Sequence, residues 1–136
     1  MRRVITLVLA LCLAGCDTSK AAQVPLLTGQ GPNPGGCFSA KYKFMLVPDA
    51  RYGTRTGEDG VPGDDDVPVM WPPGYTGRQL SSGEVVVLDA SGNVVATTGH
   101  VYEVGGGYFD YGNTNVRVWY ACSYVREGSL PPATPA

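Results

Sequence analysis

The sequence predicts an all-β domain: a small OB-like barrel of five to six strands, with a small β-sandwich as the alternative, set between a disordered tether and a disordered tail. Three observations predict it. Apolar residues recur with period two in several short runs, and no stretch keeps a helical period for three turns. Glycine (19) and proline (11) together exceed a fifth of the 136 residues, while charged residues make up 16%, a profile of strands joined by many turns. Residues 84–98 also carry a strong hairpin signal.

The elements follow in order. Ala40 to Val47 alternates, with Tyr42, Phe44 and Leu46 on one face and Lys41 and Lys43 on the other, the pattern of a half-buried strand. Pro48 to Pro68 is rich in Gly, Pro and Asp and reads as a long loop, either mobile or functional. Val67 to Trp71 is a short strand ended by Pro72-Pro73-Gly74. Glu84 to Asp89 and Asn93 to Thr98 flank Ala90-Ser91-Gly92 and form the hairpin. His100 to Val104 alternates again, and Gly105-Gly106-Gly107 permits a bend. Thr114 to Val125 is the longest strand, with Val116, Val118, Tyr120, Cys122 and Tyr124 on one face that is expected to be buried. Closing these strands into a barrel would remove exposed edges.

The N-terminus carries different information. Arg2 and Arg3 precede an apolar run of 11 residues, Val4 to Ala14. That is too short for the ~30 Å hydrocarbon core, which needs about 20 residues, and it suits the h-region of an export signal. The run ends in Leu13-Ala14-Gly15-Cys16, which resembles the lipobox of bacterial lipoproteins. The resemblance implies cleavage before Cys16, diacylation of its thiol and a lipid anchor on the extracytoplasmic face of the cell membrane. Two acyl chains provide stable attachment where one does not. The expected organisation is a signal peptide over 1–15, lipidated Cys16 and a flexible tether over 16–36, a β domain over 37–126 and a disordered tail over 127–136.

Cys12 leaves with the signal and Cys16 takes lipid, so Cys37 and Cys122 remain. An even pair in an oxidising compartment is expected to form a disulfide. Metal binding by these two thiols lacks the paired spacing and histidines that zinc sites use.

A second resemblance rests on Trp71-Pro72-Pro73-Gly74-Tyr75, on Val87-Leu88-Asp89-Ala90-Ser91-Gly92-Asn93-Val94-Val95-Ala96, on Thr98-Gly99 and on Gly105-Gly106-Gly107. This W-P-x-G-[YF] … V-L-D-x-x-G-x-V-V-A-x-x-G … G-G-G pattern resembles small exported or lipid-anchored proteins of high-GC Gram-positive bacteria and their relatives. It spans residues 71–107. It implies a compact β module and brings no reaction or substrate with it.

Candidate chemistry is sparse. The single histidine, His100, stands without the Ser/Asp partners of a nucleophilic site and without H-E-x-x-H. Glu58-Asp59 and Asp64-Asp65-Asp66 place five carboxylates within nine residues. Asp64, Asp65 and Asp66 are a weak calcium candidate, since the run lacks EF-hand spacing and reads equally as a solvated loop. Tyr108, Phe109 and Tyr111 cluster between glycines, and with Trp71 they are candidates for contact with a ligand or partner, or for plugging the barrel end. Loss of Arg2 and Arg3 leaves eight basic against twelve acidic residues, a formal charge of −4, which argues against nucleic-acid binding. No cofactor is expected.

The functional expectation is a non-catalytic binding or accessory module at the cell envelope, with an unidentified envelope protein or a cell-wall glycan as partner. The alternatives are a glycan-binding OB-like domain, a phage- or plasmid-encoded exclusion or immunity lipoprotein and, more remotely, an envelope hydrolase using the acidic loop.

Overall fold

A computed structural model describes residues 22–30, 40–58 and 66–128, without the side chains of Ser123 and Tyr124. The expected signal segment, Cys16, Cys37, Asp64 and Asp65 lie outside the described residues.

Among the described residues nine strands follow one another: β1 (Ala22–Val24), β2 (Ala40–Asp49), β3 (Gly53–Gly57), β4 (Val69–Met70), β5 (Thr76–Gln79), β6 (Val85–Leu88), β7 (Val94–Thr97), β8 (Val101–Asp110) and β9 (Arg117–Gly128). They form two sheets, ordered β1-β5-β6-β7 and β3-β2-β8-β9-β4. The described residues contain no helix, and hence none long and apolar enough to cross a membrane. The protein is all-β with two sheets.

The alternating patterns fold as strands. On β2, Phe44 and Leu46 are buried and Lys41 and Lys43 are exposed. The hairpin at 84–98 becomes β6 and β7. Gly92 sits at φ 85° and its N–H reaches the Asp89 carbonyl at 3.0 Å. That left-handed turn residue closes a short hairpin loop, and glycine adopts it without steric cost.

One core lies between the sheets. Phe44, Leu46, Tyr102, Val104, Val69, Trp119 and Ala121 from the five-stranded sheet meet Val87 and Ala96 from the four-stranded one. The expected buried face of β9 is buried in part: Val118 and Tyr120 are enclosed, and Val116 and Cys122 are half-buried around Met70 in a second cluster. Trp119 and Ala121, on the opposite face, are buried as well. Both faces of β9 are covered because the other sheet packs on one side and Leu27 packs on the other.

Four expectations change. Residues 22–30 are not free tether: Ala22–Val24 pair antiparallel with β5, Leu27 donates to Tyr52 O at 3.0 Å, and Leu26 packs on the core. The 48–68 segment is not structureless, because Gly53–Gly57 folds back on β2 with Thr56 opposite Leu46. Pro48 is tolerated in β2 because β8 pairs with that strand only as far as Met45, which leaves no partner wanting its missing N–H. Gly105 to Gly107 do not end a strand. They run inside β8, at a register shift between Gly105 and Gly106 opposite β9, where a Cβ on Gly106 would fall on the Tyr120 carbonyl oxygen. Finally, Glu127 and Gly128 belong to β9 and pair with Tyr102 and Val101, so the folded domain runs past its expected end at residue 126.

The expected barrel does not close among the described residues. The five-stranded sheet curls until its two edges meet, but they touch only at one bridge, Arg55 to Pro68, reinforced by Thr56 N–H to Val67 O at 2.9 Å. No continuous ladder joins β3 to β4.

Candidate functional site

Three strands bring aromatic rings to one end of the core-facing side of the five-stranded sheet. The β2–β8 register sets Tyr42 opposite Val104, and the β8–β9 register sets Tyr108 opposite Trp119. Tyr42, Tyr108 and Trp119 therefore continue the same face as Phe44, Val104 and Ala121, at the end where burial gives way to solvent. Trp119 is buried, whereas Tyr42 is 38% and Tyr108 39% exposed. Their centroids lie 6.1 Å apart, and 5.7 and 4.8 Å from Trp119; Tyr108 meets the indole edge-on at 78°. This edge-to-face geometry suits the ring quadrupoles and holds the two tyrosines in place on a rigid base.

Charge flanks the rings. The Arg117 guanidinium lies 5.0 Å from the Tyr108 ring centre, within cation–π range. The parallel pairing of Val69 with Trp119, and the Trp119 N–H donated to Pro68 O at 2.9 Å, carry the chain just before β4 toward the Arg117 end of β9. Asp66 arrives by that route, its carbonyl accepting from Arg55 Nη2 at 2.6 Å. Burial raises the Tyr108 hydroxyl above its usual range; Tyr42, through charge and hydrogen bonding, and Asp66 add to the rise, and Arg117 opposes it.

The expected contact residues separate in space. Tyr108 stands in this aromatic platform. Phe109, one residue on, turns to the other face of β8 and packs edge-on against Tyr120 at 6.3 Å. Tyr111 is exposed beyond the end of β8, where its N–H donates to Val116 O and its carbonyl accepts from the Thr114 hydroxyl. Trp71 is 1% exposed in the core, its Nε1 donating to Thr54 Oγ1 at 2.9 Å. Tyr42 and Trp119 join the platform although no sequence motif groups them, because their proximity is a matter of strand register.

A concavity of about 350 Å³ opens between β7 and β9, lined by Trp71, Tyr75, Val94, Val95, Ala121, Cys122 and Val125. The Trp71 and Tyr75 rings stack there at 16° and 6.1 Å. Burial raises the Tyr75 hydroxyl, with Asp89 and Tyr120 adding to the rise. Cys122 Sγ lies 3.8 Å from Gly105 O.

The remaining candidates lie elsewhere. His100 is exposed at a strand junction, with Nδ1 3.0 Å from Glu127 Oε1. Of the calcium candidate, only Asp66 is among the described residues, and within them no three His, Cys, Asp or Glu side chains gather as a metal site. No family model, curated protein or solved structure matches this chain.

Proposed function

We propose that this chain is a lipid-anchored, extracytoplasmic binding module of the bacterial envelope that acts without catalysis, and that the Tyr42–Tyr108–Trp119 platform is its contact surface. The platform is the observation that carries the reading. Two half-exposed aromatic rings are fixed on a buried indole, so they present apolar area with little side-chain freedom left to lose on binding. The Leu13-Ala14-Gly15-Cys16 motif supports the anchor. The two-sheet arrangement fits a small β-sandwich. An OB-like barrel would require the single Arg55–Pro68 bridge to extend into a ladder.

With lipid on Cys16 and folded chain from Ala22, only residues 17–21 space the domain from the bilayer. Five residues reach about 17 Å at full extension, so the module works close against the membrane.

Two experiments test the proposal. Mass spectrometry of the membrane-extracted protein should find a diacylated N-terminal Cys16, and Cys16→Ala should release the protein from membranes; an unmodified, soluble wild-type chain would overturn the anchor. A photo-crosslinking residue at position 108, compared with one at exposed Asn93, should capture one dominant envelope component in the host. Equal, diffuse capture from both positions would overturn the platform as the contact surface.

A further inference from the structure

We infer that the β5–β6 turn, Leu80 to Gly83, is the part of the domain set against the bilayer, with the Leu80 side chain at the headgroup–acyl boundary and the Arg78 guanidinium among the lipid phosphates. This rests on the lipid anchor at Cys16 and names the surface that the anchor holds to the membrane.

Two independent observations meet at this turn. The first is where the tether enters the fold. β1 pairs antiparallel with β5, and its first residue, Ala22, lies opposite Gln79, the last residue of β5. The chain coming from Cys16 therefore joins the domain one residue away from Leu80. Residues 17–21 reach about 17 Å at full extension, which keeps this end of the four-stranded sheet at the membrane surface.

The second is what the turn carries. Leu80 is 38% exposed, and Arg78, Ser81 and Ser82 are exposed around it. The turn is closed by its own backbone: Leu80 N–H donates to Glu84 O at 2.8 Å, and Gly83 N–H donates to Leu80 O at 2.9 Å. Leu80 is thus presented by a fixed loop. Arg78 lies two residues earlier, on the same side of an extended chain, and makes no ion pair among the described residues. An arginine can lay its stem along apolar surface while its head stays with phosphates, and an apolar side chain gains by entering the boundary below the headgroups. The nearby acids are held by neighbours: Glu84 Oε2 accepts from the Ser82 hydroxyl at 3.0 Å, and Glu127 Oε1 lies 3.0 Å from His100 Nδ1.

A single exposed leucine is ordinary on a protein surface; its place at the anchored end gives this one a partner. Val94 is 64% exposed, but the β1–β5–β6–β7 register puts it at the opposite end of the sheet from Ala22. β8 begins just after Gly99 and His100, beside Glu84, and runs on to Tyr108, seven residues after Val101. That is roughly 20 Å of strand, so the Tyr42–Tyr108–Trp119 platform is left clear of the bilayer.

The test uses the acylated full-length mature protein in vesicles of phosphatidylethanolamine and phosphatidylglycerol. A photo-crosslinking residue is placed at position 80, at position 82 in the same turn, or at exposed Ser91 in the turn at the other end of the sheet. Unchanged melting temperatures show that each variant folds. Phospholipid adducts, read by mass spectrometry, should be several-fold more abundant from positions 80 and 82 than from 91. Adducts as abundant from 91 as from both 80 and 82, or none from any position, with the protein diacylated and vesicle-bound, would overturn the contact face and leave the anchor standing. A chain that carries no lipid on Cys16 and stays free of the vesicles would overturn the anchor, and this inference with it.

Discussion

The Tyr102 hydroxyl accepts a hydrogen bond from the Thr97 N–H at 2.8 Å, so a side chain of β8 in one sheet satisfies a backbone donor of β7 in the other. Among the described residues β7 is an edge strand, paired only with β6, and this bond occupies one donor on its open side. Tyr102→Phe keeps the packed ring and leaves Thr97 N–H without its partner. We expect a loss of about 1–3 kcal/mol in denaturant unfolding. The variant should also alter the alkaline limb. Burial raises the Tyr102 hydroxyl in the folded state. Its contribution is therefore complete below the unfolded value of about 10 and is lost as pH rises through the folded one. Stability measured from pH 8 to 12 should fall less steeply in the phenylalanine variant.

Trp71 is the largest fully buried side chain, and its indole N–H depends on Thr54. Thr54→Val preserves shape and removes the acceptor. A loss of about 1–3 kcal/mol is expected, against about 3–5 kcal/mol for Trp71→Ala, which also opens a cavity. Chemical denaturation of both variants checks the order.

Gly106 leaves no room for a side chain. A Cβ there would fall on the backbone oxygen of Tyr120, which cannot swing aside as a side-chain end can. Gly106→Ala should cost more than about 3 kcal/mol or prevent folding. Gly83→Ala serves as the comparison: its Cβ would meet nothing within 4 Å, although its φ of 90° leaves some backbone strain. Thermal melts of the two variants should separate clearly.

Asp89 organises the hairpin turn. Its Oδ1 accepts from the Asn93 and Ser91 N–H groups, both at 2.9 Å. Hydrogen bonds from Asn93 above all, joined by Ser91 and Gly92, hold its carboxyl below the usual range against the opposing effect of burial. A depressed folded value means the stabilisation is present above the unfolded value near 4 and is lost as pH falls through the folded one. Asp89→Ala should therefore lower the melting temperature at pH 7 and flatten its decline between about pH 4 and pH 2.

The Cys37–Cys122 disulfide remains a proposal with a direct test. Cys122 is half-buried on β9 beside the second apolar cluster. Joining it to Cys37 closes a loop of 85 residues, worth roughly 4–5 kcal/mol through the unfolded chain. Cys37→Ala should lower the melting temperature under oxidising conditions, and added reductant should lower that of the wild type alone. Equal melting temperatures in all four cases would mean the two cysteines are not bonded.

The sequence by itself determined the strands whose side chains alternate. Phe44 and Leu46, the valines of 85–88 and 94–95, and the hairpin turn at Gly92 were legible because burial on one face imposes a period of two and a tight turn imposes a left-handed residue. Tertiary structure alone decided the rest. Ala22–Val24, Gly53–Gly57 and Thr76–Gln79 have little apolar pattern. They are strands because neighbouring strands present backbone N–H and C=O groups that must be paired. Trp71, open in the sequence between contact with a partner and plugging the barrel end, is a core residue, because the parallel pairing of β4 with β9 carries it between the sheets. The platform joins Tyr42, Tyr108 and Trp119, which lie up to 77 positions apart. Local sequence encodes which face each residue takes on its own strand, but strand register decides which faces meet, and register is set by the packing of the whole core.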